Sequence, residues 1–523
     1  MKSLLWSLML CLGAICQVPA QVHSTKLLFN SPKEHLGTAI NTSFTETKPV
    51  ISSDGKTLYF CRQNYPKNIR GKQDDQDIYI ATFDGQKWTA VRNMGWPLND
   101  QHPNGVSSVS PDGNSLLLIN EYIKGGYVKK GVSISYRSKN GWTYPSKIQI
   151  EDFYNFSPYV DYAMAANGKV LFMSVHRREG YGDQDIYVSL CKNGKWGKPM
   201  NLGVTINTSG ADFAPFLAAD GKTLYFASEG HGGYGGSDIF YAKRLDDTWN
   251  NWSKPINLGP SVNSNTWDAY YSLAAKGKYA YFVSKNLANN SRDIYRIELP
   301  QEVQPDPVVM VKGKVLDANN QQPLQAAITF HLTQGHQEQG IARSNPLDGS
   351  YKMVLPHGKA YQFLAKTPGF ISLHQTIDLS GAKKYGEIQV DLQLIPLVEG
   401  EKIPIENIFF VRSKAELQQE SFSELDKLVK LLKEYPQLEI ELGGHTDNVG
   451  QSELNLQLSW DRVDRVKDYL VQQGIASGRL QTKGYGDTRP IANNDRELNR
   501  RLNRRVEFTI LGSSSKQATL LRR

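Results

Sequence analysis

The stretch Ser52-Ser-Asp-Gly-Lys-Thr-Leu-Tyr-Phe60 recurs four times, with variations, along the first three hundred residues. The later copies are SPDGNSLLL from Ser110, AANGKVLFM from Ala165, AADGKTLYF from Ala218 and AAKGKYAYF from Ala274. Counted at the residue before the shared glycine (Asp54, Asp112, Asn167, Asp220, Lys276), the copies are 58, 55, 53 and 56 residues apart. A fixed period of this length indicates a repeat architecture. Asp-Gly between β-forming residues also predicts a tight hairpin in each repeat.

Further strand sequences follow each hairpin. Strands of the Asp-Ile-Tyr type begin at Asp77, Asp185, Asp238 and Asp293. Segments ending in Asn-Leu-Gly come next, as in WGKPMNLG from Trp196 and WSKPINLG from Trp252. Four short strands per repeat are typical of the blades of a β-propeller. The sequence therefore predicts a propeller of about five blades within residues 21–301.

The strand that the last repeat lacks is present at the N-terminal end of the repeat region. The fifth repeat stops at DIYRIELP, from Asp293, without an Asn-Leu-Gly strand, whereas SPKEHLGTAINT, Ser31–Thr42, matches GKPMNLGVTINT, Gly197–Thr208. We expect the N-terminal strand to complete the last blade, because this closure removes exposed sheet edges. The Asp of Asp-Ile-Tyr is interpreted as a turn anchor, not a catalytic acid.

These repeats, over about residues 27–300, resemble the WD40-like propeller repeats also found in the TolB family of bacterial envelope proteins. The resemblance implies a fold and leaves the function open, because propellers include enzymes, sensors and docking platforms. Gly-x-Ser-x-Gly is absent from the sequence, which argues against a hydrolase of that type.

The N-terminus and the composition define the compartment. Lys2, an apolar run from Leu4 to Cys16 and Ala20 have the layout of a secretory signal peptide, residues 1–20. Cleavage after Ala20 is favoured over lipidation at Cys16, because the bulky Ile15 precedes that cysteine. No later segment approaches the roughly 18 apolar residues of a membrane helix, so the mature chain is predicted to have no transmembrane segment. The 523 residues carry a thinly spread net charge of +8, and export argues against a nucleic-acid partner.

A second module follows a short linker. Glu302–Pro307 contains two prolines in three residues and predicts a stiff hinge. From residue 308 to 398, alternating strands separated by turns predict a small antiparallel β-sandwich. Its opening Gly-Lys-Val, its Gln-Pro-Leu-x-Ala-Ala-Ile step and its Asp-Gly-x-Tyr hairpin resemble carboxypeptidase regulatory-like, transthyretin-like domains. That family uses the domain as an accessory module, and we interpret the sandwich as a spacer.

The hydrophobic period changes at residue 401. The sequence predicts a strand in KIPIENIFFV, a helix over Ser413–Tyr435, a strand in QLEIELGG and a second helix over Ser452–Gln473. Two more strands, around a short helical stretch, complete a compact α+β domain over residues 401–511, in the order βαβαββ. Residues 512–523 form a C-terminal tail. The predicted fold class is therefore multidomain and mainly β, and 26 Tyr, 19 Phe and 9 Trp agree with it.

Four motifs in the last domain occur in order: GHTD from Gly444, NLQLSWDR from Asn455, GYGD from Gly484 and NRRV from Asn503. Together they resemble the OmpA-like peptidoglycan-binding domain, over roughly residues 403–511. The resemblance implies that Asp447 accepts the ammonium of a diaminopimelate side chain and that Arg462 binds its carboxylate. A ligand head with both charges needs such an anion and a fork-shaped cation.

Other residues have secondary assignments. Thr446 and Asn455 are predicted to add neutral hydrogen bonds, and Arg505 is a weaker candidate near the acidic or sugar portion of the ligand. The alternative is that Asp447 and Arg462 form only an internal salt bridge between strand and helix. His445 is interpreted as structural, because no nucleophile accompanies it. No catalytic residue, metal site or cofactor is predicted.

The sequence thus predicts a non-enzymatic envelope protein of the periplasm, associated with the outer membrane and peptidoglycan. Its expected partners are the diaminopimelate stem peptide of peptidoglycan and an envelope protein bound at the propeller. The alternative is a propeller glycan receptor or enzyme that the OmpA-like domain retains at the cell wall.

Overall fold

The computed structural model describes residues 31–73, 75–123, 127–334, 338–372, 375–405 and 408–513. Within these residues the chain is mainly β, with eight sheets. The predicted signal peptide, with its cleavage site, and the tail beyond residue 513 lie outside the described part. Among the described helices, none is long and apolar enough to cross a membrane.

The first region contains five separate antiparallel sheets. Sheet 1 consists of β2 Thr45–Ile51, β3 Thr57–Gln63, β4 Gln76–Phe83 and β5 Trp88–Asn93. Sheet 2 consists of β6 Val106–Val109, β7 Ser115–Ile123, β8 Tyr127–Ser138, β9 Gly141–Trp142 and β10 Ser146–Lys147. Sheet 3 consists of β11 Asp161–Met164, β12 Val170–Val175, β13 Asp185–Lys192, β14 Lys195–Trp196 and β15 Met200–Asn201. Sheet 4 consists of β16 Asp212–Leu217, β17 Thr223–Ser228, β18 Asp238–Lys243 and β19 Ile256–Asn257. Sheet 5 consists of β1 Glu34–His35, β20 Asp268–Leu273, β21 Tyr279–Lys285 and β22 Arg292–Glu298.

The repeated sequence forms the turn between the first two strands of sheets 1 to 4 and between β20 and β21 of sheet 5. Its five equivalent glycines have φ between 68° and 74°: Gly55, Gly113, Gly168, Gly221 and Gly277. Side chains with a Cβ rarely adopt this left-handed conformation. The shared glycine of the repeat is therefore explained by the turn, and the hairpin prediction is confirmed.

The sheets succeed one another around a ring. The first strands β2, β6, β11, β16 and β20 contact one another in that order, and β20 contacts β2. The N-terminal strand β1 pairs with β22 of the last sheet, with Glu34 opposite Arg296. The predicted pairing between the two ends of the repeat region is therefore confirmed.

The Asp residues of the Asp-Ile-Tyr strands anchor loops. Asp185 accepts hydrogen bonds from the backbone N–H groups of Tyr181 and Gly182 at 2.6 and 3.1 Å. Asp238 does the same for Tyr234 and Gly235. The interpretation as turn anchors is therefore confirmed at Asp185 and Asp238.

The second module consists of two packed sheets. One contains β23 Val308–Asp317, β26 Ser350–Pro356, β28 Phe370–Ser372, β30 Gly386–Gln389 and β31 Leu392–Pro396. The other contains β24 Ala327–Leu332, β25 Glu338–Arg343, β27 Ala360–Lys366 and β29 Gln375–Asp378. The prediction of a purely antiparallel sandwich is wrong, because β23 pairs in parallel with both β30 and β31. The chain reaches these positions by crossing between the sheets, which a local turn pattern does not reveal.

The segment predicted as a hinge is attached to the first region. The side chain of Asp306 lies 3.4 and 3.1 Å from the ammonium groups of Lys222 and Lys243. The hydroxyl of Tyr225 donates to the carbonyl of Val303 at 3.0 Å. The linker is therefore held in place by its neighbours, and the prolines alone do not determine its stiffness.

The C-terminal module is an α+β layer of one sheet and two long helices. In chain order it contains β32 Lys402–Ile405, α1 Phe422–Glu434, β33 Leu438–His445, α2 Ser452–Gln472, β34 Leu480–Gly486, α3 Glu497–Asn503 and β35 Val506–Ser513. The sheet order is β32-β35-β33-β34, and only β33 and β34 run parallel. The predicted element order and the second helix agree with this arrangement.

The first helix of this module is shorter than predicted. The sequence predicts a helix from Ser413, but α1 begins at Phe422. Before it, the chain folds back on itself, with Phe410 and Leu417 forming a β-bridge and Ser413 at a φ of 58°. The apolar residues in this stretch pack against the domain core in a loop, so their helical spacing is coincidental.

Candidate functional site

The candidate site lies where β33 ends. Asp447 follows β33 by two residues, and its side chain is largely buried, since the residue is 8% exposed. Helix α2 starts five residues later and packs over β33 and β34. Carboxyl ends of strands next to a helix commonly gather functional side chains in α/β folds.

Two glycines of the motifs allow this helix to approach closely. A Cβ on Gly444 would lie 2.4 Å from the carbonyl oxygen of Ser459, and one on Gly484 would lie 2.5 Å from the ring of Trp460. Larger residues would therefore push α2 away from the sheet. The hydroxyl of Ser459 also accepts a hydrogen bond from the N–H of Gly486 at 3.0 Å. These motif residues determine where α2 lies relative to Asp447.

Asp447 forms an ion pair with Arg504. Arg504 Nη1 lies 2.6 Å from Asp447 Oδ2, and Arg504 Nη2 lies 2.6 Å from Glu497 Oε1. One guanidinium thus bridges two carboxylates, of which Asp447 is the more buried. The pKa of Arg504 is raised, mainly by the hydrogen bond to Glu497 and also by the one to Asp447.

Arg462 lies beside this pair without joining it. Its Nε donates to the carbonyl of Lys414 at 3.2 Å, and its guanidinium carbon lies 5.0 Å from the ring centroid of Phe410. Burial lowers the pKa of Arg462, the charge of Arg504 lowers it further, and the charge of Asp447 opposes both effects. The alternative of an internal Asp447–Arg462 salt bridge is wrong, because Asp447 pairs with Arg504 instead.

Asn455 and Thr446 lie next to Asp447. The Asn455 amide donates to the backbone carbonyls of Asp447 and Val449 at 3.3 and 3.2 Å, so it fixes the loop that carries the carboxylate. Thr446 is 4% exposed, and its hydroxyl has no hydrogen-bond partner within the described residues. Asn455 therefore has a structural role in addition to any contact with a ligand.

Arg505 belongs to a different cluster. Its Nε lies 2.9 Å from Glu507 Oε2, and its Nη1 donates to the carbonyl of Arg489 at 3.3 Å. Glu507 also contacts His445, whose ring stacks on Tyr485 with centroids 5.0 Å apart. His445 is buried within these contacts, as expected of a structural residue.

The site combines charges of both signs, since Arg504 lies 2.6 Å from two carboxylates and the charges of Arg504 and Asp447 both act on the pKa of Arg462. Asp447 and Glu497 are anionic, whereas Arg462 and Arg504 are cationic. Such an arrangement can bind a group that carries an ammonium and a carboxylate on one carbon, with the ammonium at Asp447 and the carboxylate at an arginine.

Arg504 and Glu497 were missed in the sequence analysis. Arg504 is the first of two adjacent arginines, and β35 begins two residues later at Val506. Because side chains alternate along an extended chain, Arg505 and Glu507 share one face and Arg504 takes the other. This alternation was the available signal that the two arginines have different partners.

Comparison with known protein families finds a match within the C-terminal module. Residues 409–504 match the OmpA family. Outer membrane porin F of Pseudomonas fluorescens is 38% identical over 104 residues, which cover 20% of this chain and 32% of the porin. The peptidoglycan-associated lipoprotein of Rhizobium meliloti (strain 1021) is 29% identical over 147 residues, covering 26% of this chain and 84% of the lipoprotein.

The match to the OmpA family lies in the C-terminal part of the chain. The chain spans about a third of the length of the porin. Among solved structures, the peptidoglycan-associated lipoprotein from Burkholderia pseudomallei is 26% identical, with a TM-score of 0.19, covering 20% of this chain and 86% of that one. The family match alone shows that the chain carries an OmpA family domain at its C-terminus.

Proposed function

We propose that this chain is a non-enzymatic protein of the cell envelope that binds peptidoglycan noncovalently through the diaminopimelate side chain. The observation that carries the proposal is the largely buried Asp447 close to the two arginines Arg462 and Arg504. The ligand ammonium meets Asp447, and its carboxylate meets Arg462. The match to the OmpA family and the similarity to a protein named as peptidoglycan-associated support peptidoglycan as the binding partner. The protein then resides in the periplasm, next to peptidoglycan and the outer membrane.

We also propose that the five sheets are the blades of a propeller that binds an envelope protein. The cyclic contacts of their first strands and the pairing of β1 with β22 support this architecture. The hairpin turns between first and second strands face the sandwich: Asp112 accepts from the N–H of Arg343 at 2.7 Å, and the Asn167 carbonyl accepts from Ile341. The sandwich thus covers this end of the sheets.

The opposite end is the one available to a partner. In antiparallel sheets, the loops between second and third strands lie at the other end from the first hairpin. These loops expose Tyr181 and Leu287 at 50% and 70%, and the loop before β11 exposes Tyr159 at 73%. Exposed Tyr side chains are typical of binding hot spots between proteins. This end of the propeller is our proposed partner surface.

The peptidoglycan site is tested by sedimentation of the full chain with sacculi. Asp447→Asn and Arg462→Ala each remove one member of the charge pair that the ligand needs. Such a loss typically costs about 2–5 kcal/mol, since the opposite charge of the ligand stays unpaired. We expect at least a roughly 30-fold loss of affinity. Arg465→Ala is the matched control, because Arg465 lies on the same helix and, among the described residues, forms its ion pair with the exposed Asp468.

Two results would contradict the proposal. Variants that fold and sediment like the wild type would show that Asp447 and Arg462 have only a structural role. Equal binding to sacculi with lysine in place of diaminopimelate would contradict the proposed ligand, because a lysine side chain has no carboxylate for Arg462.

A further inference from the structure

The ring of five sheets encloses a cavity of about 80 Å³, which the first strands of all five sheets line. In each strand the lining begins at the same position of the repeat, seven residues before the shared glycine: Lys48, Val106, Asp161, Ala214 and Tyr270. The other lining residues follow these positions in the chain, toward the hairpin turns. The five residues therefore form one layer, at the end of the cavity that is farther from the turns.

The sandwich covers the end of the cavity at the turns. All five hairpin turns contact it: Asp54 pairs with Lys352, Asp112 and Asn167 bind backbone N–H groups of β25, and Ala219 and Ala275 pack against the cluster of Val308, Met310 and Val354. Access from the end that faces the proposed partner surface therefore depends on the layer that starts at Lys48.

An ion pair spans the ring within this layer. Lys48 pairs with Asp161, and its ammonium lies 4.4 Å from the ring centroid of Tyr270. Lys48 belongs to sheet 1 and Asp161 to sheet 3, and sheet 2 lies between them in the ring, so the pair crosses the centre. The two charged side chains are only 11% and 10% exposed. The centre of the ring is therefore filled at this level.

We propose that Lys48, Asp161 and Tyr270 close the centre of the ring, so that the cavity behind them is a sealed chamber. The repeat itself requires neither a charge nor an aromatic ring at this position, because Val106 and Ala214 occupy it in sheets 2 and 4. Each buried charge also needs the other, since a lone charge in such a place is costly. For the proposed partner surface, on which this last step rests, closure means that a partner binds the exposed loops without inserting a segment into the ring.

The closure is tested by the reaction of a thiol in the cavity with a charged methanethiosulfonate reagent. Ser107→Cys in the full chain places that thiol in the lining, where the Ser107 hydroxyl is buried and has no hydrogen-bond partner among the described residues. Peptide mass spectrometry then gives the labelling rate at position 107. We expect this rate to be lower by roughly 100-fold or more than in the urea-unfolded chain, because labelling requires local opening. Labelling of the folded chain at the unfolded rate would show an open channel and overturn the proposal.

A double variant in the same background opens the chamber. Lys48→Ala with Asp161→Ala removes both charges, so that neither stays buried without its partner. We expect labelling at position 107 to accelerate by about tenfold or more, since the rate follows the population of the open form. Lys147→Ala with Glu121→Ala is the matched control, because it removes a 2.9 Å ion pair inside sheet 2 and should leave the rate unchanged.

Cys61 separates opening of the chamber from loss of structure. It is fully buried in the core between sheets 1 and 2, so it should stay unlabelled in the double variant. Parallel acceleration at Cys61 would show that the sheets themselves loosen, and it would reduce the ion pair to a structural contact. An unchanged rate at position 107 would show that Lys48 and Asp161 do not close the ring. Either result overturns the closure and leaves the proposed peptidoglycan site untouched, because that site is tested by sedimentation with sacculi.

Discussion

Glu507, which directly follows the Asn-Arg-Arg-Val motif, binds one of the two adjacent arginines of that motif. Its carboxylate lies between His445 and Arg505, at 3.2 and 2.9 Å, and the residue is 6% exposed. Contact with His445 lowers its pKa the most, burial opposes this effect, and Arg505 adds to the lowering, so that the pKa falls to about 2. His445 and Arg505 are therefore part of the structural support beneath the site, while Arg504 faces Asp447.

This cluster predicts a specific dependence of stability on pH. A glutamate with a lowered pKa contributes stability that is fully present above its unfolded pKa of about 4.5 and is lost as pH falls toward about 2. We expect Glu507→Gln to lower the free energy of unfolding by about 1–3 kcal/mol at pH 6. The difference from the wild type should shrink steadily at pH 4 and pH 3 in urea unfolding. Glu453→Gln, at an exposed position of α2, is the control, and a difference that stays constant with pH would contradict the assignment.

At the scale of elements, one asparagine joins the ends of the first region. The Asn41 amide donates to the Ile294 carbonyl at 2.9 Å, and its oxygen accepts from the Ile294 N–H at 2.9 Å. Asn207, in the loop that leads from sheet 3 to sheet 4, forms the equivalent pair with Ile186 of sheet 3. The same residue type thus ties a loop that leaves a sheet back to that sheet, and at Asn41 it connects the start of the described chain to the last sheet.

We expect Asn41→Ala to loosen this closure. The change leaves the buried N–H of Ile294 without its partner, which costs about 1–3 kcal/mol, and the Ile294 carbonyl keeps only the 3.4 Å hydrogen bond from the Leu36 N–H. Hydrogen exchange should accelerate at Ile294 and in β1. Asn207→Ala should lower the melting temperature to a similar extent but leave exchange in β1 unchanged. Unaltered exchange of β22 in Asn41→Ala would mean that this asparagine does not support the closure.

The sequence predicts some of these elements better than others. The repeat period, the hairpin glycines and helix α2 are encoded locally, so the sequence predicts them well. The start of α1 is not encoded locally. Phe410, in the loop before α1, packs against Arg462 of helix α2, which is distant in sequence. The partners of Arg504 and the parallel strands of the sandwich likewise depend on tertiary contacts. Asp447 and Arg462 were identified by their motifs, whereas Arg504 required the fold.

At the scale of the whole molecule, the sandwich contacts both of its neighbours. Ile371 of the sandwich is fully buried in the core of the C-terminal module, and the hydroxyl of Tyr435 donates to the Phe370 carbonyl at 3.2 Å. On its other side, Lys352 lies 2.5 Å from Asp54 in the first hairpin turn. The interpretation of the sandwich as a simple spacer is therefore incomplete, since the sandwich joins the first region, with its proposed partner surface, to the module that carries the proposed peptidoglycan site.

These contacts predict that the three modules move as one body. The double variant Asp306→Lys, Lys352→Glu reverses the charge at the ion pairs that join the first region to the linker and to the sandwich. Each such pair is partly exposed and contributes about 1 kcal/mol or less, so docking should weaken by roughly 1–2 kcal/mol once repulsion is included. We expect a larger radius of gyration in small-angle X-ray scattering and faster proteolysis at residues 304–307. Lys312→Glu is the matched control, because Lys312 pairs with Glu387 inside the sandwich. If the double variant and the control have the same radius of gyration and cleavage rate, the ion pairs do not hold the modules together, and the backbone hydrogen bonds and apolar contacts between the sandwich and the first region set their orientation.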